Sequence, residues 1–259
     1  MFKLTFTICC LFGFTLQELQ NSLKQQATCN EMPDSKLEAE ISPSFRSGQR
    51  GRTEVPKSIT FETDIGLSQD LVKQFKTEKK AKKYIRKVIE HVNKLFQHKS
   101  LETKVIIKAM KWEVSNNNFH ATDQNLENLN KEKNRKESKL PYGAFGASKN
   151  YIAADPASGY AYVGTACKKG WNGYIVEMSG NNIKMDGALL AHEIGHLLGM
   201  HHNEDKFAHP DGCTRIDEWW NVMDGQVRHS SKGWTTCNTD KFKTFLQDGR
   251  GDCLIDAKQ

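Results

Sequence analysis

The sequence predicts an α/β domain that ends in an irregular, disulfide-pinned portion. Three observations predict it. Strand-type alternation and helix-type periodicity follow one another from about Ser58 to Gly199. Four cysteines, Cys167, Cys213, Cys237 and Cys253, are confined to the C-terminal half. The chain has 259 residues, enough for one sizeable domain with a buried core plus shorter segments. A hydrophobic content of 37% and a mean hydropathy of −0.65 exclude a membrane bundle.

The elements follow in order. Lys3 precedes the apolar run Leu4–Phe14, so residues 1–16 read as a secretory signal peptide and the protein as secreted and extracellular. The run is shorter than the ~20 residues that a bilayer span needs. Residues 17–56 are polar and carry Pro33, Pro43, Pro56, Gly48, Gly51 and the basic stretch Arg46–Arg52. They read as a short leader or pro-segment cut near Arg50 or Arg52, or as an unprocessed flexible tail. The folded domain is expected over 57–259. Ile59–Ile65 and Thr103–Val114 have the pattern of strands. Ser68–Gln97 is apolar on one side and charged on the other, so one long helix is expected. Asn116–Lys139 reads as a polar surface loop with a short helix near Leu126–Leu129. Tyr151–Ala154, Gly159–Cys167 and Gly173–Met178 are further strands, and Asp186–Gly199 and Asp240–Gln247 further helices.

The formal net charge is +6, with basic residues clustered in Lys73–Lys87 and Lys99–Lys111. Such clusters suit nucleic acid, heparan-type glycans or an acidic membrane surface. Leu71, Val72, Phe75, Tyr84, Ile85, Val88, Ile89, Val92 and Leu95 nevertheless recur at helical spacing, which favours a solvated outer face. Neither a nucleic-acid partner nor stable membrane insertion is expected. No Asn-x-Ser/Thr triplet is present, so N-glycosylation is not expected.

The chemistry concentrates in His192-Glu193-Ile194-Gly195-His196-Leu197-Leu198-Gly199-Met200-His201-His202. His192 and His196, four apart on a helix, present both imidazoles on one face to a single metal ion. Glu193 can then reach a water at that ion and act as general base. A third ligand requires the helix to stop, and Gly199 accepts the left-handed conformation that stops it. His201 and His202 both follow, and the H-x-x-G-x-x-H spacing selects His202. Three protein ligands with a fourth position for water describe a catalytic Zn2+ site. Met223, in Asn221-Val222-Met223-Asp224-Gly225, lies 21 residues after His202 and reads as an apolar floor beneath the imidazoles.

Taken together, these stretches resemble the metzincins, and within them the reprolysin (adamalysin) family of zinc metalloendopeptidases, over about residues 57–259. The other stretches that carry the resemblance are Gly159-Tyr160-Ala161-Tyr162-Val163-Gly164-Thr165-Ala166-Cys167, similar to G-x-A-Y-V-G-x-x-C, and Trp234-Thr235-Thr236-Cys237-Asn238 with Phe245-Leu246 and Cys253-Leu254. The resemblance implies a twisted, mostly parallel sheet with an antiparallel edge strand, an active-site helix and a smaller irregular C-terminal subdomain. It implies that Gly159, Tyr160, Ala161, Tyr162, Val163 and Gly164 form the edge strand that pairs with an extended substrate. It implies that Asp224–Arg228 wall the primed-side pocket, and that a monomer acts on extracellular proteins or peptides, as venom or salivary toxins of this family do. Cysteine spacing alone allows three pairings; the resemblance implies Cys167 with Cys253 and Cys213 with Cys237. It also allows a Ca2+ ion near Asp256. The sequence departs from the family pattern in carrying Asn203 where an Asp usually follows the third histidine. It lacks a cysteine at Asn221, has a short leader in place of a long prodomain, and shows no matching switch motif around Cys29. An alternative on the same fold is a catalytically weak binding protein or toxin.

Overall fold

The computed structural model describes residues 27–29, 54–135, 140–148, 157–214 and 220–255. Among these, seven strands, β1 (Ala27–Cys29), β2 (Ser58–Ser68), β3 (Lys104–Ser115), β4 (Tyr142–Ala147), β5 (Ala157–Ala161), β6 (Gly173–Met178) and β7 (Gln226–Val227), form one sheet in the order β3-β2-β4-β6-β5-β1-β7. β3, β2, β4 and β6 are mutually parallel, and β5 runs antiparallel to β6. This is the mostly parallel sheet with an antiparallel strand that the sequence resemblance implied. β1 and β7 extend the sheet beyond β5 by two short pairings.

Among the described residues, five helices cover it: α1 (Gln69–Gln74), α2 (Glu78–Phe96), α3 (Asp123–Arg135), α4 (Ile183–Leu197) and α5 (Thr236–Gln247). Alternation along the strands assigns the two faces. Phe145, Tyr174 and Val176 join Phe61, Val88, Leu190 and Trp234 in the larger core under α2, α4 and α5. Ala144 and Ile175 point the other way, to a smaller core with Phe119, Leu126 and Leu129 under α3.

Several expectations are corrected. The single helix over Ser68–Gln97 is two helices. Lys76 takes a left-handed φ of 66° between them, and the Thr77 side chain caps α2 by accepting the Lys80 N–H. The expected loop Asn116–Lys139 contains the full helix α3. Its buried side carries Leu126, Leu129 and the amide of Asn130, which accepts the Gly173 N–H and donates to the Leu126 carbonyl. β4 was not foreseen. Two of its six residues are glycines, which weaken a strand pattern, yet a Cβ on Gly143 would lie 2.5 Å from the Tyr174 ring. The strand expected over Gly159–Cys167 ends at Ala161 and gives way to turns. α4 and α5 begin earlier than expected. The strand expected at Tyr151–Ala154, the signal segment 1–16 and Asp256 lie outside the described residues. The structure joins Cys167 to Cys253 and Cys213 to Cys237, spanning 86 and 24 residues.

Candidate metal centre

α4 is fixed at both ends. The Asn182 side chain accepts the Met185 N–H at its start. At its end Gly199 turns left-handed (φ 87°), while the Gly199 N–H donates to His196 O and the Met200 N–H to Gly195 O. A Cβ on Gly199 would press to 3.1 Å of Phe245 Cβ, so both backbone and packing favour glycine there. The chain then returns and brings His202 to the face that carries His192 and His196.

The three imidazoles converge. His192 Nε2 stands 3.0 Å from Nε2 of both His196 and His202. The other ring nitrogens of the first pair are tied down: His192 Nδ1 donates to Val222 O at 2.7 Å and His196 Nδ1 to Met200 O at 2.9 Å. With the proton held on Nδ1, each facing Nε2 is a lone-pair acceptor. Acceptors cannot bond one another, so the cluster calls for a cation between them. Protonation is a poor alternative. Burial lowers the pKa of His192 to about 4 and, with the other histidines adding repulsion, that of His202 to about 2 and that of His196 well below its usual value. Three neutral imidazoles form a donor set that fits Zn2+. His201 points elsewhere: its Nδ1 is 3.7 Å from Asp205 Oδ2.

Met223 packs against the turn of α4 between His192 and His196. It is fully buried, and a Cβ added to Gly195 would sit 2.6 Å from its Sδ. Glu193 is also fully buried, directly beneath β5. A Cβ on Gly159 would fall 2.1 Å from Glu193 Oε1, so that glycine makes the space the carboxylate occupies.

Of the six residues expected to form the substrate strand, only Gly159–Ala161 lie in β5. The Tyr160, Ala161, Tyr162 and Val163 side chains are buried, and the Gly164 N–H donates to His196 O. The outer edge of β5 is engaged by β1. Thr28 and Cys29 of β1 pair in parallel with Ala157 and Gly159, and Ala27 and Thr28 pair antiparallel with Val227 and Gln226 of β7. The backbone of Ala27–Cys29 therefore runs between the strand above Glu193 and the segment that follows Met223. Ala27–Cys29, expected to be irregular, thus form a strand.

Asn203, read as a departure from the family, has a defined place. Its N–H donates to Met223 O, its Nδ2 to Asp224 Oδ1 at 2.7 Å, and its Oδ1 accepts the Thr235 hydroxyl at 2.9 Å. Asp224 in turn accepts the Asn221 N–H, and Thr235 caps α5 in a reciprocal box with Asn238. The loop after His202, the Met223 turn and the start of α5 are thus tied through one amide. Sequence reasoning missed this, since Asn203, Asp224 and Thr235 lie far apart in the chain. His209 also lies near Cys213 and Cys237, but those sulfurs are joined to each other.

Comparison with known proteins agrees with this geometry. Residues 68–258 match the profile described as Reprolysin (M12B) family zinc metalloprotease. The rat "Disintegrin and metalloproteinase domain-containing protein 1" is 33% identical over 98 residues, which is 38% of this chain and 12% of that one. The bovine "A disintegrin and metalloproteinase with thrombospondin motifs 5" is 38% identical over 68 residues, 26% of this chain and 32% of that one. The chain thus spans a third or less of these relatives' length. A solved structure titled "Structure of a chaperone-substrate complex" aligns over 74% of this chain and 35% of its own, at 14% identity and a TM-score of 0.47. The match over most of the chain, together with three histidines that converge on one point, makes this protein a member of the reprolysin (M12B) family of zinc metalloproteases.

Proposed function

We propose that the protein is a secreted zinc-dependent endopeptidase that hydrolyses peptide bonds of extracellular proteins, with His192, His196 and His202 holding the metal and Glu193 as general base. The observation that carries this reading is the buried carboxylate of Glu193, held against the strand that would carry the substrate and borne on the same helix turn as His192 and His196, which converge with His202. Zinc, when bound, supplies Lewis-acid polarisation of the scissile carbonyl and of a water.

The chain's own residues do the rest. β5 offers its backbone edge to an extended peptide, and pairing there lays the scissile bond over Glu193. Glu193 takes a proton from the attacking water and delivers it to the departing amine nitrogen. Gly159, lacking a side chain, lets the carboxylate stand against the strand. Met223 keeps the floor beneath the histidines apolar, and the carbonyls of Val222 and Met200 keep His192 and His196 in the ligating tautomer. Gln226 and Val227, with the rest of Asp224–Arg228, wall the primed side. The leader strand β1 occupies the same backbone edge, so a substrate reaches it only after the leader leaves. Release by cleavage near Arg50 or Arg52 fits the basic stretch there. A venom or salivary role suits such an enzyme. The alternative of a weak binding protein drew on Asn203, but its side-chain amide makes two hydrogen bonds there, one donated and one accepted, which argues against a decayed site.

The test is cleavage of a mixed library of quenched peptides by the oxidised chain, before and after proteolytic removal of residues 1–56, with and without a zinc chelator. Chelator-sensitive cleavage that increases on leader removal is the expected result. A folded, zinc-loaded chain that cleaves nothing in either form would overturn the proposal.

A further inference from the structure

We propose that the outer face of α2 is a binding site for a linear sulfated polysaccharide, separate from the metal centre. Residues 79–87 hold six cations, Lys79, Lys80, Lys82, Lys83, Arg86 and Lys87. α2 buries Ala81, Ile85, Val88, Ile89, Val92, Leu95 and Phe96, and this turns Lys79, Lys80, Lys83, Arg86 and Lys87 to solvent. Among the described residues, only Lys82 of the six has a carboxylate partner, Glu78 at 2.5 Å.

The sequence alone left this face as an ordinary solvated surface. The structure changes the reading because the helix starts at Glu78 and not at Ser68. Lys79 and Lys80 therefore stand in a first turn, where cations oppose the helix dipole. Lys79 and Lys83, Lys82 and Arg86, and Lys83 and Lys87 are like-charge neighbours at i,i+4, which also disfavours the helix. A solvated face needs no such arrangement, and alternating signs would serve it better. Local rules broken without local compensation mark a face kept for a ligand.

Three features name the ligand. Lys79, Lys83, Arg86 and Lys87 form a stripe about 12 Å long on a helix rising 1.5 Å per residue, which suits an extended polyanion. Arg86 lies 5.2 Å and Lys82 5.9 Å from the Trp112 ring on β3, so the ring braces both cations at the edge of the stripe. A guanidinium fixed in that way can present two donors to one sulfate. Charge is also segregated. Residues 73–111 hold thirteen Lys and Arg against three Asp and Glu, so the remainder of a chain of net charge +6 is acidic. Two disulfides fit an oxidising compartment, where sulfated glycans rather than nucleic acids are the abundant polyanions.

The test uses the full oxidised chain and a fluorescent heparin octasaccharide, titrated by anisotropy from low to physiological salt. The wild type is expected to bind with an affinity that falls steeply as salt rises, through counterion release. Lys83→Glu with Arg86→Glu should weaken binding roughly tenfold or more, while Lys104→Glu with Lys108→Glu, the same charge change on the other face of the sheet, should weaken it less than about threefold. Lys79→Glu should raise the melting temperature while weakening the octasaccharide, a pairing that a merely structural residue would not show. Equal losses for the two pairs, binding of the desulfated octasaccharide as tight as the sulfated one, or tighter binding to single-stranded DNA or to anionic vesicles of phosphatidylserine, would overturn the proposal.

Discussion

Restoring the family's usual aspartate at position 203 is predicted to damage this protein. Asn203 Nδ2 donates to Asp224 Oδ1 at 2.7 Å, and Asp224 is fully buried. Asn203→Asp replaces that donor with a second carboxylate. Two unit charges ~4 Å apart at an effective dielectric of ~20 repel by about 4 kcal/mol, and the lost hydrogen bond adds about 1–3 kcal/mol. The penalty is limited because one carboxylate can retain a proton. Holding it at neutral pH means raising a pKa by about three units, which costs about 4 kcal/mol. For a domain of this size, each 1 kcal/mol moves the melting temperature by about 2–4 °C, so Asn203→Asp should melt about 8–16 °C lower by calorimetry. The exchange Asn203→Asp with Asp224→Asn should recover most of that. The amide, now at position 224, would donate to the carboxylate at position 203 and still accept the Asn221 N–H through its oxygen. The second oxygen of that carboxylate would accept the Thr235 hydroxyl. A single variant as stable as wild type, or an exchange no better than the single variant, would refute the reasoning.

Other predictions address the site and the bridges. Gly159→Ala drives a Cβ to 2.1 Å of Glu193 Oε1, so the carboxylate must shift; cleavage should fall about 10²-fold with zinc content unchanged, read as kcat on a peptide substrate beside metal analysis. In the zinc-stripped chain, His192 titrates near 4 when folded and near 6.5 when unfolded. Its folded pKa is depressed, so stability is complete above ~6.5 and falls by about 1.4 kcal/mol per pH unit from this residue alone as pH drops toward ~4. His196 and His202 steepen the loss, which thermal melts across that range should show. Removing the Cys167–Cys253 bridge by paired alanines opens an 86-residue loop and should cost about 4–5 kcal/mol in a denaturant titration that begins from the oxidised protein.

What was legible in the sequence is what is local. His192, Glu193, His196, Gly199 and His202 lie within eleven residues, and helix geometry alone turns their spacing into a site. The alternation in β2 and the amphipathic period of α2 were equally plain. The break at Lys76 was not, because apolar positions keep helical spacing across it and only the Thr77 cap betrays the restart. α3 was hidden by its polarity, since it rests on two leucines and a buried asparagine amide. β4 was hidden by glycines, which weaken a strand pattern but here serve close packing, Gly143 against Tyr174 and Gly146 against Phe119. The pairing of β1 with β5 and β7, and the link from Asn203 to Asp224 and Thr235, join residues 21 to about 200 positions apart, and no local pattern encodes them. Pairing of the cysteines likewise came from family resemblance and not from their spacing.

The central claim is that Glu193 moves the proton at a site the histidines hold. The most direct measurement compares wild type with Glu193→Ala, each freed of its leader, loaded with zinc and assayed on one cleaved peptide with metal content determined on the same samples. The expected result is one zinc in both proteins and a turnover lower by about 10²–10⁴-fold in the variant. Equal turnover in two folded, zinc-loaded proteins would contradict the account.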